Sequence, residues 1–179
     1  MKRQLGYCLL LGVFLASAAS AQTIDEYQVK AAFLYNFAKF VEWPAQTFKT
    51  DKEPVRICVL GQDPFGSALG DAVGGKTVLG RPFVVTDIAN VSQVGDCQIL
   101  FISSSERKRM RSILADLRPG ILTVGEADGF ATEGGIVNFR LSDGRVHLEI
   151  NVEAAGQAKL RINSSVLNLA QIVKTGPQK

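Results

Sequence analysis

Val55-Arg-Ile-Cys-Val-Leu60, followed by Gly61-Gln-Asp-Pro-Phe-Gly66, decides the fold. The first six residues form a short apolar run rich in valine, isoleucine and leucine, the pattern of a strand buried on both faces. Gly61 ends that strand. Asp63-Pro64 then supplies an N-cap and a first-turn proline for a helix reaching about Val73, where Gly74-Gly75 stops it. Residues 77–87 have strand character interrupted by Gly80-Arg81-Pro82, and Cys97 to Ile102 reads as a second buried strand. Ser103 with Glu106 matches a capping box, and Met110, Ile113, Leu114 and Leu117 recur at helical spacing behind it. Ile121 to Val124 is a third short strand. Strand, helix, strand, helix, strand implies right-handed crossovers and a largely parallel sheet.

From Ile136 the period changes to two. Val137, Phe139 and Leu141 alternate with polar residues, Val146, Leu148 and Ile150 do the same, and Asp143-Gly144 between them signals a two-residue hairpin turn. That turn pairs Leu141 with Val146, Phe139 with Leu148 and Val137 with Ile150, so every apolar pair falls on one face. A last helix is expected from Ser164 to about Lys174, with Val166, Leu169, Ala170 and Val173 as its stripe and Gly176-Pro177 as its end. At the other end, residues 25–42 read as a helix stopped at Trp43-Pro44. Its polar stripe, Gln28, Asn36, Lys39 and Glu42, is narrow. Such a helix is either buried on more than one side or covers the core with one side and offers the rest to a partner. The expected fold is a single-domain, Rossmann-like α/β sandwich: a largely parallel sheet flanked by helices, with a C-terminal antiparallel hairpin.

The chain has 179 residues, 46% of them apolar and 21% charged, which fits a compact globular class. Lys2 and Arg3, the apolar run Leu9 to Ala18 and the small-x-small site Ala19-Ser20-Ala21 form a signal peptide, residues 1–21, with cleavage after Ala21. The apolar run is too short for a spanning helix, and Cys8 leaves with the peptide. The mature domain, residues 22–179, is then nearly neutral, because 20 basic residues face 17 acidic ones before Lys2 and Arg3 are lost. Nucleic acid is not an expected partner. Two cysteines remain, and export favours a Cys58–Cys97 disulfide over two buried free thiols.

Few residues suggest chemistry. Gly61 to Gly66 has phosphate-loop spacing, but Ser67 stands where the lysine belongs. His147 is the only histidine, which excludes paired-histidine metal sites and leaves any triad without a visible nucleophile. Glu126 and Asp128 follow the third strand where open α/β sheets place ligands, yet a turn and a helix start account for them. Arg107, Lys108, Arg109 and Arg111 could attract acidic headgroups or read as a solvated helix face. No enzyme, metal or cofactor is expected. A small-molecule crevice near Gly61, Ser103 and Glu126 is the alternative to a protein-binding role.

KAAFLYNFAKFVEWP (Lys30 to Pro44) resembles the opening of the YfiR family. ICVLGQDPFG (Ile57 to Gly66), ILFISSSE (Ile99 to Glu106), TVGEADGFATEGGIVNF (Thr123 to Phe139) and LEINVEAAGQAKLRINSSVLNLA (Leu148 to Ala170) are similar to its later blocks in the same order. The resemblance implies a periplasmic α/β protein that binds the periplasmic region of a membrane-bound diguanylate cyclase and represses cyclic-di-GMP synthesis. It also implies relief through an outer-membrane-associated sequestering protein. Cys58 and Cys97 match the family's earlier cysteine pair, and the later pair of some members is missing here. The candidate partner-contacting residues are Tyr35, Phe40 and Trp43 on the first helix segment and Arg140, Arg145, His147 and Glu149 on the hairpin's polar face. A homodimer is also allowed.

Overall fold

The computed structural model describes residues 17–176, with side chains from Glu26 onward. Most of the signal-peptide reading, residues 1–16, lies outside the described residues, as does Pro177. Helix α1 (Ser17–Phe40) leads into a short strand β1 (Val41–Glu42). The chain continues as β2 (Val55–Leu60), α2 (Ser67–Val73), β3 (Thr77–Val78), β4 (Arg81–Ile88), β5 (Ile99–Ile102), α3 (Met110–Ala115) and β6 (Leu122–Gly125). The hairpin strands β7 (Val137–Ser142) and β8 (Arg145–Asn151), then α4 (Val152–Gln157), β9 (Arg161–Ile162), α5 (Ser164–Leu167) and β10 (Ala170–Val173) complete it.

Eight strands form one sheet in the order β10-β8-β7-β6-β5-β2-β4-β3. The central pairs β4–β2, β2–β5, β5–β6 and β6–β7 are parallel, so the mixed α/β fold with a mostly parallel sheet stands as expected. Alternation within the strands divides the core into two layers. Ile57, Val59, Phe101, Val124 and Phe139 point to the face covered by Leu34 and Phe37 of α1 and Leu69 of α2. Cys58, Leu60, Leu100 and Ile102 point to the opposite face, under Met110 and Ile113 of α3. The Cys58–Cys97 disulfide closes across this second layer, with Cα atoms 6.0 Å apart. It ties β2 to the segment entering β5.

The hairpin has the expected register: Leu141 faces Val146, Phe139 faces Leu148 and Val137 faces Ile150. Asp143 and Gly144 both have positive φ, 53° and 69°, as a type I′ turn requires. Behind β6, the Phe130 ring occupies the space that side chains at 125 and 135 would fill. A Cβ on Gly135 would lie 2.1 Å from that ring, and one on Gly125 2.4 Å.

Several elements differ from their sequence reading. The last helix is wrong: α5 stops at Leu167, and Ala170–Val173 is instead a strand parallel to β8. The backbone of β8 offers a free ladder on that side, and strand pairing places Ala170 and Ile172 beside Leu148 and Ile150. The first helix ends at Phe40 rather than residue 42, because Phe40 O accepts the Asn163 amide at 2.9 Å and Val41 pairs with Ile162. Helix α2 begins at Ser67, since Asp63 Oδ1 accepts from Phe65 N at 2.8 Å in a turn ahead of it. Residues 77–88 form a hairpin turning at Leu79-Gly80, both at positive φ. Ser103 does cap, accepting from Ser105 N, but it opens a 3-10 stretch (Ser104–Arg109), and Glu106 turns to Arg109 at 3.3 Å instead of back to the cap.

Candidate partner-binding surface

At the ends of the parallel strands, where the fold would offer a ligand crevice, several of the chain's own side chains engage one another, beside a cleft of about 350 Å³ lined by Tyr27, Pro64 and Phe65. Gly61 has φ +94°, and a Cβ there would stand 2.5 Å from Ser105 Oγ. Ser105 Oγ accepts from Gln62 N at 3.0 Å, and Ser103 N donates to Leu60 O at 3.0 Å, which draws the 3-10 turn down onto Gly61. Glu126, just beyond β6, is engaged from α1. Its Oε2 lies 2.7 Å from Lys30 Nζ and accepts from the Tyr27 hydroxyl at 3.2 Å. Lys30 also pairs with Glu26, one turn earlier on α1. Side-chain exposure of Lys30 and Glu126 is 3% and 7%, so this ion pair is buried. The Tyr27 phenol is held well above its ordinary range, first by burial and then by the charges of Glu126 and Glu26. The arrangement locks the middle of α1 onto the sheet end and leaves Glu126 committed. Asp128 contributes its backbone carbonyl to Arg107 at 2.6 Å.

The basic cluster on the opposite layer is also largely engaged. Arg109 meets Glu106, Arg111 meets Glu133 at 2.8 Å and Arg107 holds Asp128 O. This is a solvated helix face with internal charge pairing. Among the described residues no group of three or more His, Cys, Asp or Glu side chains is placed to hold a metal. Nor is any helix there long and apolar enough to cross a membrane.

The candidate contact residues fall into two groups on opposite faces of the sheet. Tyr35 is half-buried against Phe83, with ring centroids 5.5 Å apart and the Lys39 and Lys76 ammonium groups over its ring. Phe40 is exposed at the end of α1, and half-buried Trp43 keeps an indole N–H without a hydrogen-bond partner. All three belong to the α1 side. Arg140 faces His147 across the hairpin on the other side, and Glu149 receives both Arg140, at 3.1 Å, and the Asn138 amide, at 3.0 Å. His147 is exposed there, whereas Arg145, at the hairpin tip and also exposed, reaches the α1 side. The structure therefore does not join the seven into one patch.

Between α1 and the hairpin tip lies a groove of about 280 Å³ that the sequence reading missed. Val29, Phe33, Leu141 and Val146 line it, with Glu26 and Arg145 at its rim. Val29 is 38% exposed and Leu141 49%. The apolar pattern of α1 and of β7 was legible separately, but their meeting depends on how α1 crosses the hairpin.

Fold and site together define a small, disulfide-stapled α/β domain in which the charged side chains at the strand ends pair with one another and α1 and the hairpin expose part of the apolar surface. The chain belongs to the YfiR/HmsC-like family, which matches residues 27–171. Among solved structures, a conserved domain protein from Vibrio cholerae O1 biovar El Tor strain N16961 is similar with a TM-score of 0.54 and 12% identity, over 83% of this chain and 60% of that one. The ABC domain from Streptococcus pneumoniae in complex with L-Trp gives a TM-score of 0.49 and 10% identity, over 66% of this chain and 55% of that one. This chain spans less than two thirds of either. At such identity the first likeness shows the α/β fold alone. No curated protein matches the chain.

Proposed function

We propose that this is an exported, periplasmic regulator of cyclic-di-GMP signalling that acts by occupancy rather than turnover. It contacts the periplasmic region of a membrane-bound diguanylate cyclase, lowers its output, and is withdrawn when an outer-membrane-associated protein sequesters it. Membership of the YfiR/HmsC-like family over residues 27–171 carries this reading. Two further features support it. The residues that would serve a small substrate at the strand ends are spent on each other, and the apolar groove between α1 and the hairpin presents Val29 and Leu141 to solvent. Burying that groove against a partner gains apolar transfer energy, and Glu26 and Arg145 at its rim favour a partner with matching charges.

Deleting the gene should raise cellular cyclic-di-GMP, and re-expressing the exported wild-type chain should lower it again. The Val29→Asp variant should fail to do so while melting at the wild-type temperature. A carboxylate forced into an apolar contact costs about 2 kcal/mol or more, roughly a 30-fold loss of affinity. Unchanged cyclic-di-GMP after deletion, with the cyclase expressed, removes the cyclase reading; full repression by Val29→Asp removes the groove from it.

A further inference from the structure

The sheet ends at β10, and among the described residues no strand pairs with its outer edge. Such an edge offers a row of backbone N–H and C=O groups, and proteins ordinarily guard it with proline, charge or a bulge. The opposite end of this sheet is guarded in that way: β3 pairs over two residues only, and β4 behind it carries Pro82 and Asp87. Ala170-Gln-Ile-Val173 has neither proline nor charge, and its ladder to β8 runs unbroken over all four residues. Leu169 and Ile172 are 71% and 51% exposed along it.

We propose that the β10 edge is the docking site for an extended segment of another protein, which adds to the sheet as a further strand. Only an extended backbone answers a row of alternating donors and acceptors, and the side chains beside that row then select the sequence. Alternation places Ala170, Ile172 and Lys174 on one face, with Leu148 and Ile150 of β8, and Leu169, Gln171 and Val173 on the other. Antiparallel pairing is the stronger kind. An antiparallel segment sets an acidic residue against Lys174 and then, two and four residues later, apolar residues against Ile172 and Ala170. The residues between them meet Val173 and Gln171, and one last apolar residue covers Leu169. The segment therefore reads acidic-x-apolar-x-apolar-apolar from its N-terminal end. None of the residues lining the groove between α1 and the hairpin lies on β10, so the inference stands apart from the cyclase reading.

Six residue pairs are few beside the roughly 20–30 residues a side of a standard interface, so an isolated segment binds only at about millimolar concentration. The probe is the peptide Asp-Thr-Val-Thr-Val-Leu, blocked at both ends, added to the isotope-labelled chain. Amide resonances of residues 169–174 should shift, and every second β10 amide should gain protection from hydrogen exchange. N-methylating the peptide at alternate residues gives two patterns. Methyl groups aimed at β10 should abolish binding, and those aimed outward should leave it intact. Lys174→Glu, at an exposed position, should melt like the wild type, weaken this peptide about fivefold and favour the same peptide begun with lysine. No shift at millimolar peptide, shifts confined to other parts of the chain, or loss of binding with both methylation patterns or with neither overturns the inference. A charge preference unchanged by Lys174→Glu overturns it too. So does a chain whose outer β10 amides are protected before any peptide is added, since its own residues or a second copy would then cover the edge.

Discussion

Replacing Lys30 with methionine removes the one cation of a buried cluster that holds two carboxylates. Glu26 is near the surface and can turn outward, but Glu126 is fixed at the end of β6 with 7% of its side chain exposed. Its remaining neutral partner is the Tyr27 hydroxyl at 3.2 Å. Breaking a buried pair by removing one member costs about 3–5 kcal/mol, because the other charge stays desolvated without compensation. Against a total stability of about 5–15 kcal/mol this is a large fraction. For a domain of this size it corresponds to a fall of roughly 6–20 °C in melting temperature. Urea unfolding followed by far-ultraviolet circular dichroism should show the midpoint falling at constant slope. Adding Glu126→Gln to Lys30→Met should recover more than half of the loss, since a neutral amide still accepts from Tyr27 and no longer needs a cation. A loss below about 1 kcal/mol, or a further loss on adding Glu126→Gln, would refute the account of the cluster as a coupled buried pair.

Reducing Cys58–Cys97 opens a loop with a sequence separation of 39, which should cost about 4 kcal/mol in the chain-entropy account. Thiol titration of the unfolded, unreduced chain should find neither Cys58 nor Cys97 free, and both free would contradict the bridge. Gly135→Ala places a Cβ against the fully buried Phe130 ring and should cost about 3 kcal/mol. Adding Phe130→Leu should return part of it, as read by thermal melting. The Tyr27 phenol, raised by burial and by Glu126 and Glu26, stays protonated where an ordinary tyrosine ionises near pH ~10. Its contribution to stability is therefore intact below that pH and is lost as pH rises beyond it. Tyr27→Phe should flatten the alkaline limb of the stability curve, and an unchanged limb would count against the buried phenol.

The β7–β8 hairpin was legible because two independent signals, period-two alternation and Asp143-Gly144, fix the same register. The buried strands β2, β5 and β6 were legible as apolar runs bounded by turn residues. The C-terminal strand was not. Val166, Leu169, Ala170 and Val173 suit a helical stripe, and only the open side of β8 turns the last four residues into β10. The i,i+4 spacing of Glu26 and Lys30 is that of an ordinary surface pair on a helix. Its burial comes from Glu126, 96 residues further on, and no local pattern encodes that meeting. Nor does any local pattern show that the sheet separates Tyr35 from His147.

The crossing of α1 over β7 also shapes how the chain reaches this fold. Leu34 and Phe37 are buried, with Phe37 stacked on Phe139, and β1 finds its partner only at Arg161–Ile162. The ribosome makes α1 first, long before any of those partners exist. Until the hairpin and β9 follow, the apolar side of α1 has little to cover. Non-local closure of this kind slows folding and prolongs exposure of sticky intermediates. A nascent chain of this design stays open until β9 is available, and during that interval it is a natural client for a chaperone that grips apolar helices.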